Sequence, residues 1–157
     1  MSPKLSDAIA PPKPAAQPSK AITAARFSLT IDGVELAAFS ELAGLTSEVD
    51  VPFAPEGETI LRKLPGKRTP PTVTLKRGMT KNVELWSWHE AALSGGAAAM
   101  KNATLVMYDA TGKPVARYHL EHAWPSKLEI GALKAGSSEV LYETVTLTAE
   151  NLQRLAA

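Results

Sequence analysis

The chain has no cysteine. Disulfides, thiolate nucleophiles and thiolate metal sites are therefore excluded, and the redox compartment leaves no trace in the sequence. Neither charge is in excess: 17 Lys and Arg stand against 16 Asp and Glu, a net +1. That balance by itself favours neither nucleic acid nor membrane. No apolar run approaches the roughly 20 residues of a membrane-spanning helix. The N-terminus lacks the basic-then-apolar layout of a secretory signal, which predicts assembly in the cytoplasm. There is no internal repeat and no heptad. No glycine-rich phosphate loop, nucleophile elbow or zinc-type spacing occurs. Glu35, Glu41, Glu48 and Asp50 are scattered, with no paired base or nucleophile. The expectation is a protein that is not an enzyme and that has no cofactor and no metal site. His119 and His122 do form an HxxH spacing. On a helix that pair could chelate, but on a strand positions three apart point to opposite faces.

What is present suffices for one domain: 157 residues can bury a real core. Residues 1–25 stand apart, with Pro11, Pro12, Pro14 and Pro18 among Ala, Ser, Lys and Gln. Such a Pro/Ala-rich extension buries too little apolar surface to order by itself. It reads as a disordered tail, or as an arm that orders against a neighbouring subunit. Residues 26–157 then form the folded domain.

From Arg26 the pattern has period two. Phe27, Leu29 and Ile31 alternate with Ser28 and Thr30, and Asp32-Gly33 signals a hairpin into Val34, Leu36 and Ala38. Gly44 marks a break. Val49, Val51 and Phe53 alternate again, with Pro52 arguing for an edge or a strand end. Residues 54–71 read as a long irregular loop with six Pro or Gly positions. Residues 103–108 read as a strand buried on both faces, and Asp109-Ala110-Thr111-Gly112 as a turn. Val115–His122 returns, and Trp124-Pro125 ends or bends it. Ser126–Ile130 is a short strand, 131–138 a loop, and Glu139–Ala149 the last strand.

One stretch, 61–96, holds the only strong helix pattern. Thr80 is placed as its N-cap, Glu84 opposes the positive end of the dipole, and Gly95-Gly96 stops it. Leu85, Trp86, Trp88, His89, Ala92 and Leu93 share one broad arc. Leu85, Trp86, Trp88 and Leu93 are the expected helix core, with His89 a satisfied core or interface histidine. The fold class is therefore mainly β: two packed antiparallel sheets, a sandwich or small barrel, with one α-helix near residues 81–94.

Two polar features remain. Arg62, Lys63, Lys67, Arg68, Lys76 and Arg77 precede the helix with no acidic residue between them. They could meet a phosphate backbone, meet an acidic surface on another copy, or be a solvated loop; interleaved aromatics for base stacking are lacking. Ser28 and Thr30, Thr72 and Thr74, and Thr144, Thr146 and Thr148 all sit opposite apolar residues. That is the wet face of an antiparallel sheet, or the wall of a water-filled channel built from several copies.

The segments ARFSLTIDGVELAAFSELAGL, LRKLPGKRTPPTVTLKRGMTKNVELWSWHEAAL, and YDATGKPVARYHLEHAWPSKLEI through SSEVLYETVTLTAENL together resemble the tail tube family of contractile phages and contractile injection systems. The most specific pieces are RKLPG, the LKRGMT-to-ELWSW junction, AWP at Ala123–Pro125, and SSEV leading to YETVTL. The similarity runs from Arg26 to Leu152; the proline-rich leader is outside it. The resemblance implies two packed sheets with one helix, copies joined edge to edge into hexameric rings, and rings stacked into a tube inside a contractile sheath. Partners implied are the chain itself, the sheath protein, baseplate and tail-terminator proteins, and cargo or DNA in the channel. Arg62, Lys63, Lys67 and Arg68 are the expected subunit or ring interface, and Thr72, Thr74, Thr144, Thr146 and Thr148 the expected channel face. A baseplate tube-initiating or adaptor subunit shares the fold. A monomeric β-barrel that binds a ligand and a nucleic-acid-binding module are the more distant readings.

Overall fold

A computed structural model describes residues 21–32, 34–54, 62–63, 65–132, 134–136 and 138–157. Residues 1–20, Gly33 of the first hairpin turn and 55–61 of the long loop lie outside the described residues. In chain order the elements are β1 (Arg26–Ile31), β2 (Val34–Phe39), β3 (Glu41–Val49), β4 (Phe53–Ala54), β5 (Arg62–Lys63), β6 (Arg68–Gly78), α1 (Glu84–Leu93), a 3-10 turn at Ala97–Ala99, β7 (Lys101–Tyr108), β8 (Pro114–Ile130), β9 (Tyr142–Thr148) and β10 (Asn151–Leu155).

Eight strands form one antiparallel sheet in the order β2-β1-β7-β8-β9-β6-β3, with β10 also on β8; β4 and β5 make a separate short ladder. The sheet does not close. Its two halves share β8. Residues 114–123 of β8 pair with β7, and residues 124–130 pair with β9. β10 continues β9 along the same side of β8. Thr148 lies opposite Trp124 and Asn151 opposite Glu121, so the register is kept across the gap, where Glu150 N–H donates to Glu121 O at 2.9 Å. At the other corner Ser40 alone separates β2 from β3. The expected two packed sheets are thus the halves of one bent sheet.

The halves face each other across a core of alternating side chains. Phe27, Leu29, Leu105, Met107 and Leu120 come from the first half, and Val73, Leu75, Val145 and Leu147 from the second. Leu29, Phe39, Leu75, Leu105, Leu120 and Leu147 are fully buried and fill the space where a ligand-binding barrel would keep a cavity. β7 is buried on both faces at Leu105, Val106 and Met107, as its sequence implied.

Several boundaries differ from the sequence reading, each for a local reason. Trp124-Pro125 does not end a strand: β8 runs through it. Proline cannot donate to a ladder, and the register with β9 shifts between Pro125 and Lys127, a bulge that absorbs the missing donor. Gly44 sits inside β3 at another shift, between Leu42 and Gly44. β6 begins at Arg68, inside the stretch expected to be loop. Pro70 and Pro71 are tolerated because pairing with β9 starts only at Thr72, and β3 shifts register opposite them, between Thr46 and Glu48. The last strand was read as a single element to Ala149, whereas β10 follows it. The helix starts at Glu84, not near 81, and Thr80 does not cap it. Asn82 Oδ1 accepts the Glu84 N–H at 2.8 Å, while Thr80 Oγ1 accepts that of Asn82. Gly95, at φ 73, ends the helix in the left-handed conformation glycine allows.

Candidate functional site

The outward face of the second half is built by simple alternation. Val73, Leu75, Val145 and Leu147 point into the core, so the residues between them point out. Register then sets them in rows across four strands. One row is Glu41, Lys76, Thr144 and Glu129; the next is Gly44, Thr74, Thr146 and Lys127; the next is Thr46, Thr72, Thr148 and Trp124. The five threonines expected on the channel face are on this face, together with Thr46 and Ser126, which the pattern missed. Ser28 and Thr30 lie on β1 in the other half, and Ser28 is no wet-face residue, being fully buried with its hydroxyl donating to the Tyr108 hydroxyl at 3.2 Å. Thr46 was hidden because β3 shifts register twice, which erases its alternation.

The chemistry of this face is hydroxyl and compensated charge. The Thr74 and Thr146 hydroxyls lie 3.3 Å apart. Ser126 Oγ donates to Thr146 O at 3.2 Å and lies 2.7 Å from Thr148 Oγ1. Lys76 is 3.9 Å from Glu41, and Lys127 is 3.6 Å from Glu129. These pairs are substantially exposed, so each contributes little to stability. Their effect is to leave the wall without net charge at these rows.

The four strands of this face end in two open edges. Among the described residues, β3 has no partner beyond β6, and β8 residues 126–130 have none beyond β9. The helix covers the start of the β8 edge. β7 leaves β8 at Lys101–Ala123. Just beyond that pair α1 takes over: Trp88 Nε1 donates to Ala99 O of the 3-10 turn before β7 at 2.6 Å, and His89 Nδ1 lies 2.8 Å from Pro125 O of β8. A carbonyl only accepts, so Nδ1 of this buried histidine carries the proton.

The helix core is narrower than expected. Leu85, Trp88 and His89 are buried, whereas Trp86 is 44% and Leu93 69% exposed. Those two were assigned to the core on a broad apolar arc. The helix packs beside a strand edge rather than flat on a sheet, so only a thin stripe is covered. At about 100° per residue, Trp86 and Leu93 fall together on the flank next to His89. The Trp86 indole N–H donates to Glu90 Oε1 at 2.7 Å, and its ring tilts against His89 at 5.8 Å between centroids.

The basic run divides. Lys67 and Arg68 are exposed. Arg62 and Lys63 form β5 opposite Ala54 and Phe53; their side chains lie outside what is described. The loop is pinned to the end of β3: Gly66 N–H donates to Asp50 O and Asp50 N–H to Lys67 O, at 2.6 and 2.8 Å. A Cβ at Gly66 would come within 2.6 Å of the Pro52 ring, so this close approach requires glycine. Arg77 is no part of a basic surface. It is buried, and its Nε donates to Glu143 at 3.0 Å. His122 is exposed and lies 2.8 Å from Glu150. Among the described residues no three metal-ligating side chains cluster, and no helix is long and apolar enough to cross a membrane.

Comparison with known proteins bears on this arrangement. The family described as T4-like virus tail tube protein gp19 matches residues 23–153. No curated relative matches. Among solved structures, a chain in the tube terminating cap of the anti-feeding prophage (AFP) is 23% identical with a TM-score of 0.73, covering 90% of this chain and 95% of that one. A chain in the 6-fold symmetrised AFP baseplate is 20% identical with a TM-score of 0.68, covering 89% and 98%. A chain in the PVC sheath-tube complex, an extracellular contractile injection system, is 20% identical with a TM-score of 0.69, covering 87% and 93%. These likenesses establish the shared fold. The chain belongs to the T4-like virus tail tube protein family, and so to the structural components of phage tails and tail-like particles.

Proposed function

We propose that this chain is a structural subunit of the inner tube of a contractile tail or injection particle, forming stacked hexameric rings around a channel. The observation that carries the reading is the four-stranded half with an open edge on either side. Its strands alternate in direction, so β3 of one copy can join β8 of the next antiparallel, and the alternation continues across every seam. Closing that ring removes both edges, which would otherwise invite uncontrolled pairing. The threonine face then lines the channel. A wall of hydroxyls and paired charges holds neither DNA nor protein cargo strongly, as a passive conduit needs. Lys67 and Arg68, with Arg62 and Lys63, meet acidic groups of a neighbouring copy. Sheath protein surrounds the tube, and baseplate and terminator proteins close its ends. Assembly takes place in the cytoplasm, residues 1–25 add an extension to the tube domain, and no catalytic role is assigned.

Sedimentation of the purified chain over a range of concentrations, with negative-stain imaging in the presence of baseplate components, tests this. Hexameric rings that stack are the expected result; a sharp monomer and no rings would reject it. A second reading, a tube-initiating subunit at the baseplate, is favoured by the likeness to a chain in the AFP baseplate. Antibody labelling of native particles separates the two: labelling along the tube supports the first, labelling at one end the second.

A further inference from the structure

The exposed flank of α1 and the open edge of β8 adjoin. His89 grips Pro125 O, edge residues 126–130 begin one position later, and Trp86 and Leu93 occupy the flank beside His89. The opposite flank, with Glu84, Ser87 and Ala91, faces Ile31 and Leu36 of the first hairpin instead. The apolar flank therefore overhangs the edge to which another strand can add.

We propose that Trp86, Leu93 and β8 residues 126–130 form one docking surface for a second copy of this chain, whose Val49 and Val51 pack on the helix flank. The proposal rests on the edge-to-edge join described above and specifies what covers the helix there. Direction follows from the rows of the sheet. Within one chain Glu41 shares a row with Glu129, and Thr46 shares one with Trp124. An incoming β3, antiparallel to β8, brings its Glu41 toward Ile130 and its C-terminal end toward Trp124. That is the end the helix overhangs. There β3 runs out into Val49 and Val51, which are 42% and 56% exposed. Two apolar surfaces exposed in the single chain are thus brought to the same place by one antiparallel pairing. Trp86 is already held by Glu90, so little rotamer freedom is lost on docking, and a central tryptophan is the usual anchor of such contacts. The two patches differ, so the contact is head-to-tail, the kind that propagates around a ring.

The absence of cysteine provides a direct test. Full-length chain carrying V51C and L93C together, treated with a short bismaleimide after assembly, is expected to give a ladder of linked copies ending at the closed ring. Either single variant should stay unlinked. L93E should raise the concentration needed for rings about tenfold or more, while the monomer melts as the parent does. L93S, which adds no charge, should act in the same direction and guards against a folding defect. If the parent forms rings but the double variant does not link and both Leu93 variants assemble normally, the docking surface is wrong and the tube reading stands. If the parent forms no rings under any condition, the tube reading fails and this inference with it.

Discussion

Arg77 and Glu143 form a buried ion pair at 3.0 Å, and the guanidinium also lies 5.6 Å from the centre of the Phe39 ring. The pair joins β6 to β9 and touches β2 of the facing half. Removing one partner strands the other charge in the core, so E143A should cost about 3–5 kcal/mol, measured by urea unfolding. The double variant R77M/E143L, which removes both charges, should recover most of that loss. The two tryptophans of α1 should separate just as clearly. W88A opens a cavity and should cost about 3–5 kcal/mol, whereas W86A, at an exposed position, should stay within about 1 kcal/mol of the parent. Leu85 and Trp88 were legible as core from spacing. Trp86 and Leu93 were not, because spacing gives the apolar arc but not how much of it a neighbour covers. Arg77 was grouped with the basic run for a similar reason: its partner is 66 residues away in the chain.

Among the elements, the β7–β8 turn has the clearest chemistry. Asp109 Oδ1 accepts from the Thr111 hydroxyl at 2.6 Å, and from the Thr111 and Lys113 amides at 2.9 Å each. The Thr111 hydroxyl first, then the Lys113 amide, holds this carboxyl below its ordinary range. The folded turn therefore favours the ionised form. Its contribution is complete above the ordinary carboxylate pKa and is lost as pH falls through the lowered value. Protection of the Thr111 and Lys113 amides, taken relative to their intrinsic exchange rates, should fall as the carboxyl protonates, and in D109N that protection should no longer change with pH. This turn was readable because its signals are local. Strand alternation was equally readable wherever one face is wet, as in β6 and β9. β8 was split in two because Pro125 resembles a terminator; only the partner strand reveals that it sits at a bulge. β10 was missed because NLQRL is short, and its pairing is inherited from β9 across the Ala149-Glu150 interruption.

At the scale of the molecule, the tube reading makes the basic loop an assembly element rather than a folding one. K67E/R68E should abolish ring formation while leaving the melting temperature of the monomer near the parent's, since exposed pairs contribute about 0–1 kcal/mol each. Added salt should weaken parent assembly in the same direction. Normal tubes from that variant would return the loop to solvent. The five threonines were legible as one face because period two keeps them together, whereas the open edge of β8 was not, because it depends on where β7 leaves β8. β8 itself carries a mechanical consequence. Its 17 residues pass unbroken from one half of the sheet to the other. Within each half the strand is extended, at about 3.3 Å per residue and close to its full contour length; it gives only where the halves meet, at His122 with φ 49 and at the bulge between Pro125 and Lys127. A force along the threonine-bearing half therefore reaches the other half through covalent bonds in tension once those kinks are drawn out. Sliding one half over the other would require tearing the same strand from β7 and from β9 together, so under load the two halves stay tethered and move together.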